Sequence, residues 1–237
     1  PETRMRESTR ALGRLGVAER NLRFLGVRLG IRDGYAHLEI DRLYEALLES
    51  VRALRIEEIY VLAWEGGHPD HDTSHLVGAA LAGELGVDRI HECPGYNAYK
   101  LPPPLFHVMR SIPREEAVCS NRLTVTEGLA CFSLCTCYRS QFKTFVGLAP
   151  ESFYRLVVLR RHERRRVAGI DYTRPPHAGA LFYEKRFHLS FDEFHAATAG
   201  FVSRHGLGVT ANCRPRPLPL GRQDARPRPA GTAAARC

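Results

Sequence analysis

The chain has 237 residues, 44% of them hydrophobic, which is enough to bury the core of one domain. It contains no run of eighteen apolar residues, which argues against a membrane-spanning helix. The net charge of +8 invites a nucleic-acid reading, but residues 214–237 hold six arginines and one aspartate, net +5, which leaves +3 to residues 1–213 and no nucleic-acid partner expected for the folded part.

In chain order, "PETRMRESTRALGRLG" reads as a helix closed by Gly16. A short strand is predicted around Leu22 to Leu25. Ile40, Leu43, Leu47, Val51 and Leu54 form a helical stripe within Leu38–Leu54. The continuous run Ile59–Trp64 suits a covered strand. A helix follows over Thr73–Leu85, then a short strand in "VDRIHEC". "CPGYNAYKLPPPLFH" reads as a rim loop, "LTVTEGLACFSLCTCYRSQF" as helical and "SFYRLVVLRR" as a strand. "DYTRPPHAGALFYEKRF" is turn-rich and "SFDEFHAATAGFVSRHG" is the last helix.

Strand, helix and strand alternate, so the expected fold is α/β, a mostly parallel sheet with helices on both faces. One domain is expected over residues 1–205, followed by a disordered Arg/Pro/Ala-rich tail over 206–237. The tail's composition fits a genuine basic extension and an out-of-frame GC-rich reading equally well. Pro1 stands where an initiator Met is expected and residues 1–4 already read as helix, so the sequence reads as N-terminally cut. Seven cysteines form no disulfide framework, and a reduced, cytoplasmic setting is expected. Cys131, Cys135 and Cys137 lack a second Cys pair or a nearby His to complete a four-ligand set, and read as small buried thiols on a helix.

The chemistry concentrates in "GGHPDHDTSH", where a strand ends and a helix begins, the rim at which open α/β sheets bind ligands. Pro69 keeps His68 extended. Asp70 is the expected N-cap, with His71 in the first turn, where the helix N-terminus favours a neutral, metal-competent imidazole. Gly66 and Gly67 allow backbone to approach a bound group. Three readings stand: a polar loop and helix start, a self-contained zinc site of His68, His71 and His75, or half of a site completed by another segment.

In content and order the sequence resembles the PIG-L/LmbE-like zinc-dependent deacetylases. "RMRES" looks like that family's Arg-x-x-Glu helix, "GGHPDHDTSH" its second signature, "CYRSQF" its Tyr-x-Ser-Gln helix end and "PESFYRL" its Glu-containing strand entry. The resemblance implies a Rossmann-like fold and Zn2+-dependent hydrolysis of an N-acetyl group from an N-acetylglucosamine-type substrate or conjugate. It implies His71 as a zinc ligand, His68 as the imidazole that stabilises the oxyanion or protonates the leaving amine, and Asp70 as hydrogen-bonding His68. Arg4, Glu7, Tyr138, Ser140, Gln141 and Glu151 match positions that look structural or rim-lining. Tyr96, Asn97 and His177 are candidate substrate contacts, and a surface-turn histidine is the plainer reading of His177. The family's first signature, Ala-His-Pro-Asp-Asp-Glu, which supplies two ligands and the general base, does not occur in the sequence, so its first strand-helix-strand unit is missing and the chain alone is expected to be inactive. The alternative is a catalytically inactive remnant that acts as a sugar-binding or interaction protein.

Overall fold

The computed structural model describes residues 2–102 and 105–207; the predicted tail lies outside the described residues except for residues 206 and 207. Helix α1 (Glu2–Arg14) is followed by a 3₁₀ turn, Glu19–Asn21, and the single-turn helix α2 (Leu25–Arg28). The strand expected at Leu22–Leu25 is therefore not formed. With no neighbouring strand, those backbone groups are satisfied locally instead, by bonds such as Leu22 N–H to Glu19 O and Leu29 N–H to Leu25 O. Helix α3 (Ile40–Val51) and strand β1 (Ile59–Leu62) fall within their predicted spans.

Helix α4 (Pro69–Leu85) begins a turn earlier than Thr73 because Pro69 takes the first helical position, where a missing N–H costs nothing. It ends on left-handed Gly86. Strand β2 (Ile90–Cys93) runs parallel to β1 in the register Ile59–Ile90 to Leu62–Cys93. The rim loop carries a small antiparallel pair, β3 (Tyr96–Asn97) with β4 (His107–Val108). Strand β5 (Val118–Arg122) leads into helices α5 (Val125–Ser133) and α6 (Phe142–Phe153).

The segment expected as a strand, "SFYRLVVLRR", instead ends α6, turns through a π-helical loop at Tyr154–Val158, and only reaches strand geometry in β6 (Arg161–Arg166). Its apolar core residue Leu156 is buried where α5 crosses, with Gly128 of α5 lying directly on the Leu156 backbone. Tertiary packing thereby overrides β propensity. Helices α7 (Phe182–Phe187) and α8 (Phe191–Arg204) close the described chain.

The main sheet has the order β1-β2-β6-β5 and is mixed. Only β1 and β2 are parallel; β6 pairs antiparallel with both β2 and β5, because the excursion through α5 and α6 returns the chain in the opposite direction. The fold class is thus α/β, but the mostly parallel sheet is not what forms. Against β1 and β2 packs α4, with α3 beside it, and the core of Trp64, Leu76, Tyr183, Phe194 and Phe201 sits between this layer and α8. No described helix is long and apolar enough to cross a membrane.

The α4–β1 contact is tight enough to invert a general rule. Gly to Ala within a helix ordinarily stabilises by up to about 1 kcal/mol. At Gly78, however, an added Cβ would lie 2.2 Å from Val61 Cγ1, on a side chain with little rotamer freedom. Gly78→Ala is expected to destabilise by about 1–3 kcal/mol in urea unfolding, and Val61→Ala in the same chain to recover most of the loss.

Candidate functional site

The site is built where β1 and β2 end. Beyond their last paired residues the backbone N–H groups lose their ladder partners while still buried, and two carboxylates replace them. Asp72, in the first turn of α4, accepts from Glu65 N (3.1 Å) and from Gly66 N (3.2 Å). Glu65 Oε1 accepts from Gly95 N (2.7 Å) and Tyr96 N (2.9 Å), and Oε2 from Asn97 Nδ2 (3.2 Å). Burial pushes Asp72 up to about 7 and Glu65 up to about 8 against those donors. Neither carboxylate was singled out in the sequence, although Glu65 and Asp72 flank the histidines.

Gly66 takes φ +69°, and Gly67 packs so closely on the Tyr96 carbonyl that a Cβ would come within 1.9 Å of its oxygen. The two glycines thus admit the protein's own chain, not a bound group.

His68 is extended, as Pro69 dictates, and it is His68 rather than Asp70 that caps α4. Its Nδ1 accepts from Asp70 N at 3.1 Å. In the neutral ring this leaves the hydrogen on Nε2, so His68 presents a donor. Its ring stacks on His71 at 5.1 Å and meets the edge of Phe187 at 4.5 Å. The expected carboxylate bond from Asp70 to this imidazole is absent. Asp70 accepts instead from Gly34 N (2.7 Å) and Ala36 N (3.0 Å), because the loop before α3 aims two amides at it. Burial raises its pKa.

His71 packs under Tyr96 at 5.3 Å, and its Nδ1 is buried with no hydrogen-bond partner. Burial first, and the neighbouring His68 second, depress His71 to about 4; burial also takes His68 to about 4. Both rings are neutral at physiological pH. His75 is wholly buried and structural: Nδ1–H donates to Leu62 O at 2.8 Å and Nε2 receives Tyr172 OH at 2.9 Å. A self-contained His68–His71–His75 site is thereby ruled out, since both nitrogens of His75 are engaged.

Among the described residues one group of three has ligand atoms all within 4.8 Å of one another, Asp33, His68 and Asp70. Asp33 was not anticipated. It also accepts from Arg4 Nη1 at 2.8 Å. The motif residues near the start and in the middle of the chain do meet: Glu7 accepts from Ser140 N (2.8 Å) and Ser140 Oγ (2.5 Å), and Gln141, with its amide oxygen toward Arg4, accepts from Arg4 Nε at 2.8 Å. Glu151 holds β4 through Val108 N at 2.8 Å.

Of the candidate substrate contacts, Asn97 is withdrawn. It is buried, both its amide donors are engaged by Glu65 and Arg110 O, and its oxygen accepts from Tyr99 N. Tyr96 is half-buried, its ring against His71 and Phe182. His177 is not a surface-turn residue: it is buried beside Tyr99, with Nδ1 3.0 Å from Ala178 O and Nε2 without a partner. The cysteines Cys131, Cys135 and Cys137 are free thiols.

The raised carboxylates set a pH dependence opposite to that of an ordinary acid pair. With folded pKa values above the unfolded ones, the folded chain holds more protons, so stability falls as pH rises toward 7 for Asp72 and 8 for Glu65. The depressed histidines act in the other direction, but only between about 4 and 6.5. Unfolding free energy is therefore expected to fall from pH 6.5 to 8, and Glu65→Gln to flatten that fall in urea titrations at each pH.

Comparison with family models, with curated proteins and with solved structures finds no match.

Proposed function

We propose that this chain carries the histidine-bearing half of a zinc-dependent N-deacetylase site of the PIG-L/LmbE kind, on a Rossmann-like fold, acting on an N-acetylglucosamine-type substrate or conjugate. The observation that carries the reading is the stacked, neutral His68–His71 pair at a strand exit, with His68 fixed as an Nε2–H donor and His71 left with an unpartnered ring nitrogen. The meeting of Arg4 and Glu7 with Gln141 and Ser140 supports it further, since the two motifs that resemble the family's become one contact.

The residues present fit one ligand of such a metal, His71, whose neutral imidazole has a nitrogen to give. When bound, zinc polarises the acetyl carbonyl and activates water. In this reading His68 donates from Nε2 to the oxyanion that develops as the amide is attacked, and passes that proton to the leaving amine. Its Nδ1 bond to the Asp70 amide holds the ring in that orientation. Asp70 acts at one remove: its carboxylate ties the loop at Gly34 and Ala36 to the start of α4. Tyr96 lines the approach to His71.

Zinc binding by equilibrium dialysis and release of acetate from an N-acetylglucosamine conjugate test the reading. The 237-residue chain is expected to bind zinc weakly and to show no turnover. A chain extended upstream with an Ala-His-Pro-Asp-Asp-Glu segment is expected to take up one zinc and gain activity. In that extended chain His71→Ala should abolish stoichiometric zinc, while His68→Ala should keep the metal and lower kcat by about 10²–10⁴. Tight zinc with turnover in the 237-residue chain, or zinc retained by the His71→Ala form, overturns the assignment.

A further inference from the structure

The helical excursion between β5 and β6 presents an apolar face that nothing in the described chain covers. On α6, Phe142 and Val146 stand 69% and 56% exposed, and Pro150 and Phe153 continue the same stripe at helical spacing. The opposite side of that helix turns inward, with Ser152 buried and Phe145 and Leu148 half-buried. The stripe runs on into the π-helical loop through exposed Tyr154 and Val158.

Helix α5 joins the same surface. Its Gly128 lies on the Leu156 backbone, where a Cβ would come within 2.1 Å of the carbonyl oxygen, so Val125 and Leu129 flank the crossing and both are exposed. The ring of Phe132 meets Phe153 at 5.3 Å, and Leu123 N donates to Arg160 O at 2.8 Å, which ties the start of α5 to the end of the loop. Soluble chains rarely leave so many large apolar side chains together at the surface without a partner.

The charge around the face says which partner. Arg122, Arg139, Lys143 and Arg161 are exposed at its edge, and none has a carboxylate within 4.0 Å among the described residues. The acids on α5 and α6 are two, Glu127, which caps α5 through Thr124, and Glu151, which accepts from Val108 N, so the four basic side chains outnumber them. A second copy of the chain would bring like charges together. We infer that the α5–α6 face docks on an anionic membrane surface, with the α6 stripe lying in the interface and the basic rim on lipid headgroups. An exposed apolar helix face bordered by Lys and Arg is the arrangement that binds such interfaces, and each basic residue near the surface strengthens binding several-fold. The inference does not depend on the chemistry proposed for His68 and His71.

Co-sedimentation of the full chain with vesicles tests it, using phosphatidylcholine alone and phosphatidylcholine mixed with phosphatidylserine. The chain is expected to partition onto the mixed vesicles and to leave them at high salt. Phe142→Ser with Val146→Ser should lower the partition coefficient about tenfold, and Lys143→Glu with Arg161→Glu by a similar factor. All forms keep the basic residues 214–237, so a difference between them reports on this face. Both double variants change exposed side chains, and an unchanged melting temperature confirms that the fold persists. Equal sedimentation of wild type and both double variants overturns the proposal. So does a soluble dimer, seen by sedimentation velocity, that dissociates on Phe142→Ser with Val146→Ser while vesicle binding is absent.

Discussion

Everything at the sheet rim depends on how four backbone N–H groups are satisfied after the strands end. Glu65 and Gly66 are buried and Gly95 and Tyr96 half-buried, and each donor left unpartnered away from water would cost about 1–3 kcal/mol. Asp72 takes the first two and Glu65 the second two. These bonds also fix geometry. Asp72 belongs to the first turn of α4, so its grip on the β1 exit sets where that helix starts, and with it where His68 and His71 stand. Glu65 fixes the beginning of the rim loop, and with it the Tyr96 ring that covers His71. The energetic price of burying two carboxylates is visible in their raised pKa values.

The same logic reaches into the centre of the sheet. Glu92 on β2 is buried and meets Arg165 of β6 and Arg114 from the segment before β5. A buried carboxylate without partners would be strongly unfavourable, and two guanidiniums remove that penalty by binding it from adjacent elements. Arg165 in turn donates to Ile112 O at 2.7 Å, and Arg155 pairs with Glu163. This explains why a strand as charged as "RHERRR" lies inside a sheet. Its inward residues are arginine and glutamate, each matched across the fold.

That matching marks the limit of what the sequence discloses. Helices α3, α4 and α8 are legible because their apolar residues repeat at a period set by local geometry, and strand β1 because Ile59–Trp64 is a short continuous apolar run. Strand β6 is not, because the partner that makes Arg165 tolerable is 73 residues away. The Tyr154–Val158 loop misleads for a related reason: its apolar run is consumed by packing under α5 rather than by strand pairing. At the site, the two reactive-looking histidines are visible in "GGHPDHDTSH", and the sheet rim is the correct place for them. What surrounds them is not. The amides of Gly34 and Ala36 that claim Asp70, the inward turn of Asn97 and the burial of His177 all arise from contacts distant in sequence, with no local pattern.

Two placements of an ion can be weighed by the bonds each would break. At Asp33, His68 and Asp70, His68 must lose its Nε2 hydrogen or give up the Nδ1 bond that caps α4, a cap worth about 1 kcal/mol. Asp33 must also share its carboxylate with Arg4, and Asp70 with two amides. At His71 nothing comparable is lost. Its Nδ1 has no partner, and both this atom and Glu65 Oε1 stand within 3.4 Å of the position a Cβ on Gly95 would occupy. On the reading proposed above, an ion at His71 would break fewer existing bonds than one at Asp33, His68 and Asp70, and His68 would stay a donor for the reacting carbonyl.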